Sequence, residues 1–158
     1  MPRSRHEHRP NGQKNMNRRQ RAIGLLAALG SIDALYLTWI KIAGGKAACA
    51  GVGDCEAVNA SVYSEIAGVP VAALGVAMYA LIGVLVWLGA RRPALTEWAQ
   101  LAVFGLALVG LVFSGWLTYV EIEILQAICP YCVVSAVLIG AIFLLSVIGL
   151  LHGSQLRD

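Results

Sequence analysis

Charge is scarce in this sequence. Asp, Glu, Lys and Arg make up 13% of its 158 residues against 58% hydrophobic ones, and the mean hydropathy is +0.71. A soluble domain of this size needs more polar side chains to cover its surface. The shortage is concentrated in four stretches. Residues 69–88, 101–120 and 133–151 contain no charged residue, and 22–42 contains only Asp33 and Lys41. A helix needs about 20 apolar residues to cross the hydrocarbon of a bilayer. The expected fold is an all-α membrane protein, a bundle of four transmembrane helices over 22–151. A basic tail at 1–21 precedes it and a short tail at 152–158 follows. Each stretch carries a pair of small residues four apart that would let helix backbones approach closely: Gly24 and Ala28, Ala73 and Ala77, Gly110 and Ser114, Ala136 and Gly140. Pro70 is expected in the first turn of the second span, where its missing N–H costs little.

The loop before the last span has no Lys or Arg; it has Glu121 and Glu123. Seven of the twelve basic residues precede the first span, and Arg91 and Arg92 lie between the second and third. The positive-inside rule therefore puts both termini and the 91–98 loop in the cytoplasm of a plasma (inner) membrane protein. The basic tail reads as a topology determinant rather than a nucleic-acid arm. A cleaved leader is not expected, because the first span is too long for an h-region and contains Asp33. Nor is a lipoprotein site, because Lys46 stands before "AAC" where a large apolar residue belongs.

No cysteine falls on the cytoplasmic side. Cys49 and Cys55 lie in the first loop, Cys129 and Cys132 at the entrance to the last span, all extracytoplasmic on this topology. Four cysteines allow three disulfide connectivities, in a compartment that permits them. They could staple the loops. They could bind zinc, but the paired C-x2-C knuckles of a strong zinc site are missing, and no metal is expected. A haem attachment site needs His after Cys132, and Val133 is there instead. The third reading is redox exchange. "CPYC" has the two-residue spacing of thioredoxin-fold oxidoreductases. Cys129 sits near a helix N-terminus, where the dipole and free N–H groups favour a thiolate. Cys132 is one turn on, about 4.5 Å deeper along the helix. A structural bridge gains nothing from that depth, whereas a thiol that meets a lipid-dissolved quinone requires it. Outside the redox class, the chain could be a transport or structural bundle with stapled loops, and Asp33, an acid within a span, would be its best support.

"ALYLTWIK" and "SGWLTYVE" end the first and third spans, with Cys49 thirteen residues after Tyr36 and Cys129 thirteen after Trp116. This pattern reads either as an old duplication or as aromatic belts converging at the outer interface.

Three stretches resemble the bacterial homologues of vitamin K epoxide reductase. They are "GSIDALYLTW", "CEAVNASVYSEIAGVPVAALGVAMYA" and "WLTYVEIEILQAICPYCVVSAVL", in that order across residues 22–150. The resemblance implies a helical bundle around a quinone (menaquinone or ubiquinone) with no metal. It implies that Cys49 exchanges with a thioredoxin-fold thiol oxidase of the DsbA type, that Cys55 passes electrons to Cys129, and that Cys132 faces the quinone. Ser61 matches a serine near a quinone oxygen, with "SVYSEIAG" as a short interfacial helix, although a serine there could equally be a helix N-cap. The implied function is a thiol:quinone oxidoreductase that supports disulfide formation in exported proteins. The vitamin K contacts of the animal enzymes fall by spacing on Val84 and Ala136, which cannot hydrogen-bond through their side chains. With the chain ending at Asp158, the partner is expected to be a separate protein. The DsbB type, also four spans and four cysteines, has its cysteine pairs in the reverse order.

Overall fold

The protein is described by a computed structural model over residues 16–45 and 54–155. Four long helices dominate it: α1 (Arg18–Ala43), α3 (Val71–Arg91), α4 (Thr96–Tyr119) and α5 (Pro130–Gln155), with a short α2 (Cys55–Ala60) between the first two. All four long helices are long and apolar enough to cross a membrane. Only helices and closed barrels satisfy every backbone group in hydrocarbon, so four such runs leave a bundle as the solution. The helices close into a ring, α1 on α3, α3 on α4, α4 on α5 and α5 on α1.

The spans begin and end where local chemistry sets them. α1 stops at Gly44, whose φ of 63° places it in the left-handed region and turns its N–H back to the Ile40 carbonyl. The second helix starts at Val71, so Pro70 is not in its first turn. Pro70 instead closes a small antiparallel hairpin, Glu65–Ile66 against Val69–Pro70, turned by Ala67 (φ 51°) and Gly68 (φ 79°). Two consecutive positive φ values are what a two-residue hairpin turn requires. The short helix expected over "SVYSEIAG" is present only as a 3-10 turn, Val62–Ser64. An α-helical piece forms before it, over Cys55–Ala60, because Asp54 caps it by accepting the Ala57 N–H at 3.0 Å. It cannot continue, because the Ser64 hydroxyl lies 2.7 Å from both the Asn59 and Ser61 carbonyl oxygens and competes for them.

The two halves of the bundle differ. In the half holding the chain termini the core is solid: Ile23 and Ala27, Ile82 and Val86, Val103 and Ala107, and Ile142 interlock. Arg19 packs over Gly149 at that end, and the Arg91 guanidinium lies 5.0 Å from the centre of the Trp87 ring. The other half encloses a cavity. Tyr79 stands at the boundary, 1% exposed, its hydroxyl donating to Ser135 at 2.9 Å.

Tyr79 fits only because Gly30 faces it. A Cβ at Gly30 would lie 2.5 Å from the Tyr79 ring, and the ring is too buried and too firmly bonded to move. By contrast a Cβ at Gly115 would meet nothing within 4 Å. Gly30→Ala is expected to destabilise the bundle by about 1–3 kcal/mol through overpacking, and Gly115→Ala to leave it unchanged. Thermal unfolding in detergent compares the two; equal midpoints would contradict this packing.

Candidate functional site

The amino terminus of α5 is built from its cysteines. Cys129 precedes the helix and its carbonyl accepts the Val133 N–H at 3.1 Å, which makes it the N-cap. Pro130 follows at the first helical position, where no N–H is needed. The N–H groups of Tyr131 and Cys132 point at the Cys129 sulfur. A helix start of this kind favours an anion at the cap. The Cys129 thiol is accordingly held below its ordinary pKa. The Cys132 thiol donating to its sulfur is the main cause, burial works against it, and the two backbone N–H groups add to the lowering.

A second segment reaches this point from α4. Past Tyr119 the chain winds into a π-helical turn, Val120–Leu125, and reverses at Gln126 with φ 50°. The Glu121 carbonyl accepts the N–H groups of Gln126 and Ala127. Its carboxylate accepts the Cys129 N–H at 3.0 Å and lies within hydrogen-bond reach of the Cys132 thiol. Glu121 is 5% exposed, whereas Glu123, two residues on, is exposed. π turns often mark functional sites. Here the wider turn carries Glu121 inward and brings the chain back onto the helix start. Glu121 reads as a loop charge in the sequence. The one sign of it there is an acid inside an apolar run, "VEIEIL".

The loop cysteine arrives by a third route. The Asp54 N–H donates to the Ile128 carbonyl at 3.1 Å, joining the residues that precede Cys55 and Cys129. Cys55 is disulfide-bonded, Cys129 and Cys132 are free, and Cys55 and Cys129 are 1% and 2% exposed. Cys49 lies outside the described residues. Lys41, at the end of α1, holds the loop down. Its ammonium bonds the Asn59 carbonyl at 2.5 Å and the Ser64 hydroxyl at 2.8 Å and pairs with Glu65 at 3.2 Å. Three donors meet three acceptors.

These elements enclose a cavity of about 340 Å³. Cys55, Ser61, Glu121, Cys129 and Cys132 line it, with Asp33, Tyr79 and Ser135 deeper in the bundle. The remaining wall is mostly apolar, with Leu74, Met78, Val109, Phe113 and Leu117 among its residues. Its volume lies within the range of small-molecule pockets. Ser61 lies on the wall but makes no capping bond; its hydroxyl donates to the Val58 carbonyl at 2.7 Å. Val84 and Ala136 are not on the wall. The polar groups that those helices turn toward the cavity are Tyr79 and Ser135, hydrogen-bonded to each other. Asp33 Oδ2 is buried without a hydrogen-bond partner among the described residues.

Residues 21–147 match the sequence profile of the vitamin K epoxide reductase family. The chain belongs to that family. It is also similar to the thiol-disulfide oxidoreductase LTO1 of Arabidopsis thaliana, at 32% identity over 122 residues, which are 73% of this chain and 32% of that protein. The chain thus spans about a third of the length of that relative. The family match covers α3 and α4 entirely and all but the ends of α1 and α5, so it includes every group that lines the cavity.

Replacing Cys132 by Ala removes the S–H donor that does most to stabilise the Cys129 thiolate. The Cys129 pKa should then rise, so its thiolate fraction at neutral pH should fall. The rate of Cys129 modification by a small methanethiosulfonate, followed against pH by mass spectrometry, is expected to show a midpoint shifted upward in Cys132→Ala. An unmoved or lowered midpoint would contradict the N-cap thiolate.

Proposed function

We propose that this protein is a membrane thiol:quinone oxidoreductase. It reoxidises a thioredoxin-fold thiol oxidase and passes the electrons through two cysteine pairs to a quinone, supporting disulfide formation in exported proteins. One observation carries the reading: Cys55 of the loop and the Cys129–Cys132 pair line a single, mostly apolar cavity, with their segments joined by the Asp54–Ile128 backbone bond. Loop staples need no cavity shared between the two cysteine segments. The match to a thiol-disulfide oxidoreductase supports the same chemistry.

The sequence of exchanges follows from thiol chemistry. On the family pattern, Cys49 and Cys55 are the loop pair that exchanges with the partner. A thiolate of the reduced partner attacks Cys49 and releases Cys55, and the partner's second thiol closes its own disulfide and releases Cys49. The reduced loop pair then passes its electrons to an oxidised Cys129–Cys132 bridge. Cys55 attacks Cys129, and Cys49 resolves the mixed disulfide. Cys132, set into the cavity wall, is the cysteine that meets the quinone. The quinone is the electron-accepting substrate and takes two electrons and two protons. Ser61 faces the cavity and can present its oxygen to that ring.

In membranes or detergent, reduced thioredoxin-fold donor plus ubiquinone-1 should give quinol with this protein and none with Cys132→Ala, while the loop pair of that variant is still reduced by the donor. Undiminished quinol formation in Cys132→Ala would sink the assignment.

We also place the cysteines on the extracytoplasmic face of the plasma membrane, opposite ten of the twelve basic residues: the seven before the first span, the two between the second and third, and Arg157 after the last. A membrane-impermeant maleimide applied to reduced intact cells should label the loop cysteines. Labelling only after permeabilisation would invert the topology and remove the role in exported proteins.

A further inference from the structure

We propose that Glu121 is a catalytic residue: its carboxylate takes the proton of the Cys132 thiol as the Cys129–Cys132 pair is oxidised, and returns it to the reduced acceptor. The inference rests on the thiol–quinone reading above and adds a group to it.

The case begins with the cost of burial. Glu121 is 5% exposed, and among the described residues neither Lys nor Arg lines the cavity it faces. An ionisable group buried without a countercharge is expensive. Its structural duties do not require a charge, since the bond from the Cys129 N–H could be accepted equally well by a glutamine amide oxygen. What glutamine cannot do is hold a proton.

The proton count then points to where one is needed. Oxidising the dithiol forms one S–S bond, breaks two S–H bonds, and releases two electrons and two protons. A quinone consumes both electrons and both protons. Cys129 favours the thiolate, so its proton is exchanged with water beforehand. The Cys132 proton is left inside. Two acceptors are within its reach, the Cys129 sulfur and the Glu121 carboxylate. As the S–S bond closes, Cys129 loses its charge and can no longer hold a proton. Glu121 can. It then returns that proton to a quinol oxygen in the same cavity, the second proton comes from water, and Glu121 ends as the carboxylate it was.

The other titratable groups around the cavity do not share this position. Asp33 approaches from α1, Tyr79 from α3, Tyr63 from the turn after α2, and Cys55 is held in its disulfide. Tyr79 is engaged with Ser135. Glu121 is the one that contacts both Cys129 and Cys132.

Glu121→Gln tests this in the full-length protein in detergent, with two readouts. The first is single-turnover oxidation of the reduced Cys129–Cys132 pair by ubiquinone-1, expected to slow by roughly 10²-fold or more, the scale of general acid–base catalysis. The second needs no quinone. Loss of the negative charge beside Cys129 should lower the midpoint of its modification-versus-pH curve, which reports that Glu121 is charged there and so able to take a proton; a carboxyl already protonated would give no shift. Oxidation within about threefold of wild type, or an unmoved midpoint, overturns the proposal. If wild type itself is not oxidised, the thiol–quinone reading fails and this one with it. Should the glutamine variant not fold, Glu121→Asp carries the test. It keeps the charge but shortens the reach, so an unchanged midpoint with slowed oxidation is expected, and wild-type oxidation rates overturn the proposal.

Discussion

A helix that starts at the edge of hydrocarbon must find partners for its first N–H groups without relying on water. At the start of α5 the accounting closes. Pro130 has no N–H. Those of Tyr131 and Cys132 point at the Cys129 sulfur, that of Val133 at the Cys129 carbonyl, and that of Cys129 at Glu121. The groups that complete the helix end are thus the groups that carry the proposed chemistry. A sulfur placed to satisfy N–H donors is placed to be a thiolate, and an acid placed to accept the Cys129 N–H is also placed beside Cys132. Neither the sulfur nor the carboxylate can be displaced without leaving a buried donor unpaired, at about 1–3 kcal/mol each.

That requirement organises the surrounding loops. Glu121 can reach the start of α5 only if the chain leaves α4 through the π turn and reverses at Gln126. The first loop must then lie flat against the reversal, and two fastenings hold it there. One is the backbone bond between Asp54 and Ile128; the other is Lys41, whose three bonds all go to residues 59–65. Lys41 reads as a charge inside a span, but its ammonium reaches out to the loop, the usual accommodation of a lysine near a membrane surface.

The parts legible in the sequence are those that follow from composition and spacing. Four uncharged or nearly uncharged runs became four helices, because burial in lipid admits little else. Cys129 and Cys132 fell at a helix start because Pro130 begins the helix. Less visible were the features set by contacts between distant segments. The α-helical piece lies over Cys55–Ala60, with only a 3-10 turn at Val62–Ser64 after Ser61, since Asp54 offers the cap and Ser64 takes up the carbonyls beyond. In the first span Gly24, of the pair Gly24 and Ala28, meets only Met16 at 4.0 Å; the close approach is carried by Gly30, four residues before Ala34, against Tyr79. Glu121 and Glu123 are alike in sequence, and only the reversal at Gln126 turns the first inward. Val84 and Ala136, selected by spacing, gave way to Tyr79 and Ser135, which lie on the same helices but face the cavity.

The division of the bundle into a solid and a hollow half connects these observations. Close packing around Ile82, Ala107 and Ile142 provides the stability that the hollow half lacks. Tyr79 marks the boundary, one side of its ring against Gly30 and its hydroxyl on Ser135, so the floor of the cavity is a hydrogen-bonded pair rather than a loose apolar surface. Above that floor the polar groups gather at the rim, where Cys55, Glu121, Cys129 and Cys132 meet. A ring entering between the helices would find mostly apolar walls, with the cysteine sulfurs and the Glu121 carboxylate at the rim and Asp33, Tyr79 and Ser135 at the far end. On the proposed reading, electrons would enter it at the rim, where Cys132 and Glu121 lie together.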